Sequence, residues 1–292
     1  MGDGMNSNSI LVIARKEFSD LVGSRLVVFI LAFYVLMFIL SSYNFYSSFD
    51  VSSLSSKPEV PDVIASPAGV FCGAFIMVAC YYGGLVAVVL GYSSMSGEAD
   101  GKALSTLLVK PLYRDTIVNG KLVGASCFLC CVFWVVAAFY LAGLFLFFGG
   151  VISACFFDFL GFLPLAFILY MLYTMLFFSL SMLMCITFKE QSLALFSGFF
   201  LWIFLNLMSN MMFMGYITSF FNFDRSTTHL ISSLAPYNIL SFISGDIVNS
   251  GGVFDMLAKS FSEVAVQVFA LLLYCFVATV MAYASFIRRD VS

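Results

Sequence analysis

Long uncharged apolar segments, separated by shorter polar ones, dominate the pattern of this chain. A charged side chain at the centre of a bilayer costs at least about 2.5–3.5 kcal/mol, so uncharged runs mark candidate membrane spans. Each of the runs found here exceeds the roughly 20 residues that a helix needs to cross about 30 Å of hydrocarbon. The runs are Leu26–Phe49, Val63–Gly97, Leu122–Phe157, Phe159–Phe188, Gln191–Asn222 and Val264–Ile287.

The apolar runs are continuous, which predicts helices rather than the alternating strands of a membrane barrel. The predicted fold class is therefore all-α: a polytopic membrane protein whose residues 1–292 form one transmembrane domain with six membrane-spanning helices. Composition agrees, because 62% of the residues are hydrophobic and only 10% are charged, whereas soluble domains carry about 25% charged residues. The spans are predicted near 26–45, 68–94, 122–148, 160–188, 192–216 and 264–287.

Basic residues predict the orientation of these spans. Six spans place both termini on one side, and that side would hold ten Lys and Arg residues against three on the other. Because basic residues accumulate in cytoplasmic loops, we expect a multi-pass cell-membrane protein with both termini in the cytoplasm. The ten are Arg15, Lys16, Arg25, Lys102, Lys110, Arg114, Lys121, Lys189, Arg288 and Arg289, and the three are Lys57, Arg225 and Lys259.

The segment 9–23 precedes the first span, and its apolar residues recur at spacings of three and four with polar residues mostly between them. This pattern is typical of an amphipathic helix that lies in the headgroup layer of a membrane, here on the cytoplasmic side. Gly23 is a suitable residue to end such a helix. The alternative is a simple positively charged anchor for the first span.

The segment 96–121 is the longest predicted cytoplasmic loop. Three of its leucines at helical spacing form an apolar stripe, two acidic residues at its start suit the positive end of a helix dipole, and a proline follows that breaks the helix. Such a helix either rests on lipid or docks in the groove of a partner protein. The acidic residues are Glu98 and Asp100, the leucines are Leu104, Leu107 and Leu108, and the proline is Pro111.

Residues 217–263 form a long predicted outer segment that is polar only in patches. We expect short helices that dip into the outer leaflet without crossing it and pack on protein. A seventh span is the alternative, and the distribution of basic residues opposes it. The Gly83-Gly84 pair and Gly91 on the second span are expected to permit close helix approach.

Three cysteines on one predicted helical face, Cys127, Cys130 and Cys131, could indicate a metal or redox site. We favour the interpretation that the cysteines are small buried residues packing between helices, because a zinc site needs four ligands that usually include histidine. The chain has a single histidine, His229, which is expected in an outer loop. No metal site is predicted.

Motifs for catalysis are missing from the sequence. Gly97–Lys102 reads G-x-x-x-G-K, which has neither the spacing nor the Ser or Thr of a P-loop, and there is no H-E-x-x-H or G-x-S-x-G motif. A membrane-embedded enzyme is therefore a weak alternative, with no catalytic residues to assign. An ion-coupled secondary transporter is a second alternative, but such proteins usually bury ionisable residues in their spans, and these spans contain none. No feature indicates nucleic-acid binding.

Three regions resemble the ABC-2 type transporter permeases. Ala14-Arg15-Lys16-Glu17-Phe18 followed by Ser24-Arg25 is similar to the cytoplasmic elbow helix of that family. Gly97-Glu98-Ala99-Asp100-Gly101-Lys102-Ala103-Leu104, continuing to Pro111 and Arg114 and then Gly120-Lys121, is similar to its acidic-x-acidic-x-G-T-L segment, with Lys102-Ala103 where the family has one Thr. The six-span layout, which ends in Phe286-Ile287-Arg288-Arg289-Asp290, is the third region.

The resemblance implies a permease subunit that moves a substrate outward and is driven by a separate ATPase. Two ATPase copies would bind ATP and Mg²⁺, this chain would need no cofactor of its own, and a second permease copy would complete the transporter, with a homodimer favoured over a heterodimer. Transport would follow the dimer interface along spans two and five, and the substrate-binding residues are unknown. The residues implied for ATPase coupling are Glu98, Asp100, Leu104, Leu107, Leu108, Pro111 and Arg114, and those implied for the elbow helix are Arg15, Lys16, Glu17, Phe18 and Arg25.

Overall fold

The computed structural model describes residues 3–48, 67–100, 114–188, 190–221, 224–249 and 253–288. Within these ranges the chain is almost entirely helical and contains no strand, which confirms the predicted all-α class. The helices are α1 (Asp3–Gly23), α2 (Arg25–Ser48), α3 (Pro67–Asp100), α4 (Arg114–Thr187), α5 (Gln191–Leu207), α6 (Met211–Phe221), α7 (Arg225–Ser233), α8 (Pro236–Val248) and α9 (Val253–Arg288).

Four helices in the described ranges are long and apolar enough to cross a membrane. A fifth candidate is the pair α5 and α6, whose axes are bent by 90° at a short break. The protein is therefore a multi-pass membrane protein with four or five candidate spans by length and composition. The four single helices qualify over Arg25–Tyr46, Pro67–Met95, Thr116–Thr187 and Ser262–Phe286.

Helix α4 folds back on itself. A straight helix over Thr116–Thr187 would be about 108 Å long, several times the thickness of a bilayer. The backbone of Phe148 leaves the helical region, with φ −129° and ψ 32°. The rings of Phe133 and Phe167 lie 5.2 Å apart, although a straight helix would separate them by about 50 Å. We call residues 116–147 the first arm of α4 and residues 149–187 its second arm.

Helix α3 lies at the centre of the bundle, where it contacts α2, both arms of α4, α5 and α8. Hydrogen bonds cross from its neighbours to its backbone. Tyr140 Oη on the first arm donates to the carbonyl of Phe71 at 2.9 Å, and Ser181 Oγ on the second arm donates to the carbonyl of Val88 at 2.6 Å. Such interhelical bonds replace the hydrophobic driving force that helices lack in lipid.

Glycines on α3 allow the second arm of α4 to approach closely, as predicted. A Cβ atom on Gly83 would lie 2.6 Å from Cε2 of Tyr170, and one on Gly91 would lie 2.6 Å from the carbonyl oxygen of Phe178. Larger residues at these positions would push the helices apart.

The predicted single span near 192–216 is divided in the structure. Helix α5 ends at Leu207, and α6 starts at Met211 in a new direction. The amide of Asn210 donates to the carbonyl of Leu207 at 2.9 Å, which tightens the last turn of α5. The side-chain oxygen of Asn210 then accepts the amide of Met212 at 2.9 Å, which caps the start of α6.

Short helices occupy the segment 217–263 up to Val248, as predicted, whereas its residues from Val253 form the start of the long helix α9. Helices α6, α7 and α8 have 11, 9 and 13 residues, too few to cross a bilayer, which takes about 20. Helix α8 packs against α3 and α9. The buried residues that it contributes are Pro236, Ile239, Leu240, Ile243, Ser244 and Ile247.

The eight cysteines differ in burial: two are buried, two are exposed and four are intermediate. Cys72 and Cys80 on α3 are buried, as the packing interpretation predicted. That interpretation is wrong for Cys127 and Cys131, which are exposed on the first arm of α4, where their thiols face the surroundings of the bundle. Among the described residues no group of three His, Cys, Asp or Glu side chains could hold a metal ion.

Candidate functional site

The most unusual polar cluster among the described residues lies where α1, α3 and α4 meet. Lys121 near the start of α4 is only 2% exposed. Its ammonium group donates to Glu17 Oε2 at 3.1 Å, to the carbonyl oxygen of Ser94 and to Ser94 Oγ at 3.4 Å. We call Glu17, Ser94 and Lys121 the junction cluster. It links three helices through the buried ammonium group of Lys121.

The sequence of α1 explains how Glu17 reaches this position. Ala14, Glu17 and Leu21 are buried and lie on one face of the helix, and this face packs on α4. Leu11 and Val12 form a second apolar surface and are exposed, at 62% and 69%. One face of α1 thus packs on the protein, and a second face exposes apolar residues. The sequence pattern alone predicted a single apolar face, directed at the membrane.

Two glycines on α4 bring its backbone close to α1. A Cβ atom on Gly120 would lie 2.6 Å from Cγ2 of Ile13, and one on Gly124 would lie 2.8 Å from the carbonyl oxygen of Ala14. Glycines four residues apart are the spacing that allows close helix contact in membranes. The close approach shortens the distance between Glu17 and Lys121 enough for a direct ion pair.

Burial makes the ion pair sensitive to the loss of either partner. Glu17 is 8% exposed and Lys121 is 2% exposed, so each charge has given up most of its contact with water. Removing one partner of such a pair typically costs about 3–5 kcal/mol, because the other charge is left buried and uncompensated. The rings of Phe18 on α1 and Phe128 on α4 also make a T-shaped contact, with centroids 5.9 Å apart.

Two members of the junction cluster, Ser94 and Lys121, lie at opposite ends of the segment 96–121 that is predicted to couple to an ATPase. Ser94 is six residues before the end of α3 at Asp100, and Lys121 is seven residues after the start of α4 at Arg114. Glu98 and Asp100 lie in the last turn of α3. The remaining predicted coupling residues, Leu104, Leu107, Leu108 and Pro111, fall in 101–113, outside the described residues.

The predicted elbow residues have different environments in the structure. Glu17 joins the junction cluster, and Phe18 packs on Phe128. Arg15, Lys16 and Arg25 are exposed. The sequence analysis did not identify Lys121 as a buried residue or Ser94 as its partner. The available signal was Lys121 itself, a lone charge at the edge of a long apolar run, which needs a partner if it is buried.

A second feature, at the break between α5 and α6, was also not predicted. A cavity of about 360 Å³ lies there, and we call it the break pocket. Asn206 accepts a hydrogen bond from Tyr173 Oη at 3.1 Å and donates one to the carbonyl of Trp202 at 2.8 Å. The residues that line the break pocket are Tyr81, Trp202, Ile203, Asn206, Leu207, Ser209, Asn210 and Tyr237.

Two polar atoms at the break pocket have no hydrogen-bond partner among the described residues. These are the indole Nε1 of Trp202 and Oγ of Ser209, both buried. Buried polar groups are usually paired, so these two unpaired groups are exceptions. Aromatic walls with a few polar groups are typical of small-molecule sites. Hydropathy could not reveal this pocket, because Asn, Ser, Tyr and Trp are scattered in apolar sequence.

Comparison with known proteins agrees with this architecture. Residues 11–291 match the family described as ABC-2 family transporter protein. The chain belongs to this family. A curated relative, the probable ABC transporter permease protein NosY of Stutzerimonas stutzeri, is 33% identical over 117 residues. The match spans 40% of this chain and 38% of that relative, so it covers well under half of either protein.

The match over residues 11–291 assigns the chain to a family of ABC-2 transporter proteins. The resemblance found in the sequence is thereby confirmed at the level of the family. The motifs of this family are those whose residues border the junction cluster, which makes the cluster the candidate functional site of the chain.

Proposed function

We propose that this ABC-2 permease is driven by a separate ATPase subunit that docks on residues 96–121. The junction cluster is the observation that carries this proposal. It ties the helix before the docking segment, the helix after it and α1 together through a buried ion pair. A displacement of the docking segment would therefore move three helices as one body rather than bend a loop.

The coupling residues of this proposal are those implied by the family resemblance. Leu104, Leu107 and Leu108 would supply the apolar surface that fits an ATPase groove. Glu98, Asp100 and Arg114 would set the orientation of the helix through charge. ATP and Mg²⁺ would be bound by two ATPase copies, because the G-x-x-x-G-K sequence of this chain has no Ser or Thr to bind Mg²⁺.

We further propose six membrane spans with both termini in the cytoplasm. Each arm of α4 is longer than the roughly 20 residues needed to cross a bilayer, so α4 would contribute two spans. Helices α2, α3 and α9 would contribute one each, and α5 with the bent α6 would make the sixth. This arrangement gives the excess of basic residues on the cytoplasmic side that the positive-inside rule requires. Helix α1 would then be the elbow helix.

The substrate path of this proposal runs beside the break pocket. Tyr81 belongs to α3 and Asn206 to α5, so the pocket lies between the second and fifth proposed spans, which the sequence analysis expected to line the path. Broken helices supply free backbone and side-chain polar groups inside a membrane, and binding sites in transporters use them. Two permease copies, most simply a homodimer, would enclose the path, and the direction of transport would be outward.

Purification of the tagged full-length chain from its native membranes tests this proposal. We expect an ABC ATPase subunit to co-purify in equal copy number with the permease, and ATP hydrolysis to depend on intact residues 96–121. Recovery of the chain without any ATPase, together with transport in proteoliposomes driven by an ion gradient alone, would support the secondary-transporter alternative and contradict the proposal.

A further inference from the structure

An apolar groove runs between α2 and the first arm of α4. Helix α2 packs mainly on α3, and α1 packs on α4. A cavity of about 800 Å³ therefore stays open between α2 and α4. Side chains from three helices line it, and none of the lining residues is charged. Representative lining residues are Phe18 and Val22 on α1, Val28 and Leu36 on α2, and Val132 and Phe139 on α4.

The groove has the length of one membrane leaflet. On α2 it extends from Val27 to Ile39, about 18 Å along the helix axis, and half of a typical hydrocarbon core is about 15 Å. One end lies against the last turns of α1, which lies at the same end of the bundle as the start of α2. The groove therefore has the dimensions of a lipid acyl chain that starts at the headgroup layer beside α1.

Arginines stand at the α1 end of the groove. Arg25 is three residues before Val28, and Arg15 is three residues before Phe18, so each arginine shares a helix face with a groove residue. Both arginines are exposed. Guanidinium groups bind phosphate oxygens in a two-pronged geometry that an ammonium group does not provide. The groove thus has positive charge near its α1 end and apolar side chains along its length. This combination matches the headgroup and the acyl chain of an anionic phospholipid.

A second apolar cavity lies elsewhere in the bundle. The cavity of about 520 Å³ between the second arm of α4, α5 and α9 is also lined by hydrocarbon and includes Leu176, Leu205 and Val277. No charged residue is among those that line it. Acyl chains can fill both spaces, and neither space has a charged residue in its lining.

We propose that this groove binds one anionic phospholipid, with an acyl chain between α2 and the first arm of α4 and the headgroup phosphate at Arg25 and Arg15. Since α1 carries Glu17 of the junction cluster, the bound lipid would also fix α1 against α4. This inference does not depend on the proposed ATPase docking. It requires only the membrane embedding of the chain.

Native mass spectrometry of the full-length chain tests the lipid site. The protein is stripped of lipid in detergent and titrated with phosphatidylglycerol or phosphatidylcholine of identical acyl chains. We expect the wild-type protein to retain the first phosphatidylglycerol several-fold better than phosphatidylcholine. Arg25→Gln and Arg15→Gln should each reduce this preference by about fivefold, the effect of one basic side chain at an anionic membrane surface.

Matched controls separate a site from general attraction. Lys16→Gln removes an exposed charge from the opposite side of α1 and should leave the preference unchanged. Ala32→Trp fills the groove without altering its charges and should abolish retention of the first lipid, whereas Ala284→Trp on the exposed surface of α9 should not. Thermal melting and gel filtration verify that each variant is folded.

Three results would overturn the proposal. One is equal retention of the two lipids by the wild-type protein. Another is a loss in Lys16→Gln as large as that in Arg25→Gln, which would indicate non-specific charge. The third is normal retention by folded Ala32→Trp, which would show that the headgroup binds without the groove. Inorganic phosphate at millimolar concentration should not compete, because it has no acyl chain.

Discussion

Replacing one member of the Lys121–Glu17 ion pair is expected to destabilise the permease strongly. In Lys121→Met the carboxylate of Glu17 would stay buried, 8% exposed, without the cation 3.1 Å away. In Glu17→Met the ammonium group would lose this carboxylate and keep its hydrogen bonds to the oxygens of Ser94. Breaking a buried pair from one side costs about 3–5 kcal/mol. At roughly 2–4 °C per kcal/mol for chains of this size class, the melting temperature should fall by about 6–20 °C.

The double variant distinguishes the ion pair from general packing. When both charges become methionine, no charge is left buried, and replacing a buried pair by apolar residues is often neutral. The double variant should therefore melt at a higher temperature than either single variant. Lys16→Met, an exposed change on α1, is the matched control and should shift stability by less than about 0.5 kcal/mol.

The assay is thermal melting of the full-length chain in detergent, followed by the fluorescence of Trp134 and Trp202. Melting of both single variants at the same temperature as the Lys16→Met control would refute a stabilising ion pair. It would also be refuted if the loss in the double variant equalled the sum of the two single losses, because the charges would then act independently.

Two further changes have defined outcomes. Gly120→Val should lower the free energy of unfolding by about 1–3 kcal/mol, because its Cβ would lie 2.6 Å from Ile13 Cγ2. The control Gly215→Ala places its Cβ in open space and should not destabilise the protein. Equal melting temperatures of the two variants would contradict the close contact. Burial, with a smaller contribution from the charge of Glu263, raises the pKa of Asp246 above its ordinary value. The folded protein therefore binds this proton more tightly than the unfolded chain, and stability is lost as pH rises through that pKa. Asp246→Asn should raise the free energy of unfolding at pH 7 by at most about 0.5 kcal/mol after solvent screening. Thermal melting at pH 7 and near pH 4 should show that this gain disappears in acid. A gain of the same size at both pH values would exclude the raised pKa of Asp246 as its cause.

The sequence predicts the helical class well because long uncharged runs have one stable solution in lipid. The reversal at Phe148 coincides with the predicted end of the third span near 148, whereas the fourth span was predicted to start near 160 and the second arm of α4 starts at 149. Asp158 divides the apolar run between the third and fourth predicted spans, yet the chain turns ten residues earlier, next to Gly149 and Gly150. Helix α4 continues through Asp158, because an exposed carboxylate interrupts hydropathy without interrupting backbone hydrogen bonds.

The break between α5 and α6 was not predictable from hydropathy. Residues 208–210 contain neither proline nor glycine, and the surrounding sequence is apolar. The break depends on side-chain chemistry, in which Asn210 caps the following helix and Asn206 bonds to Tyr173 and the backbone. A sequence window that averages apolar character cannot detect two such residues.

The candidate site was predictable only in part. The family motifs identified Glu17, and charge counting placed Lys121 at the end of the same loop as Glu98. Their pairing joins residues 104 positions apart, and it depends on the close approach of α1 and α4 at Gly120 and Gly124. Only the folded chain supplies this approach, which explains why the pairing of these two residues could not be predicted from the sequence.

Reversing the charge of Glu98 tests the central claim most directly, because the permease is proposed to receive its energy through residues 96–121. The full-length Glu98→Lys variant is compared with Glu190→Lys, an exposed change in the next proposed cytoplasmic loop, in pull-down of the ATPase subunit and in stimulation of its ATP hydrolysis. The account predicts that Glu98→Lys weakens both at least tenfold while Glu190→Lys leaves both unchanged. Wild-type association and stimulation in folded Glu98→Lys would contradict it.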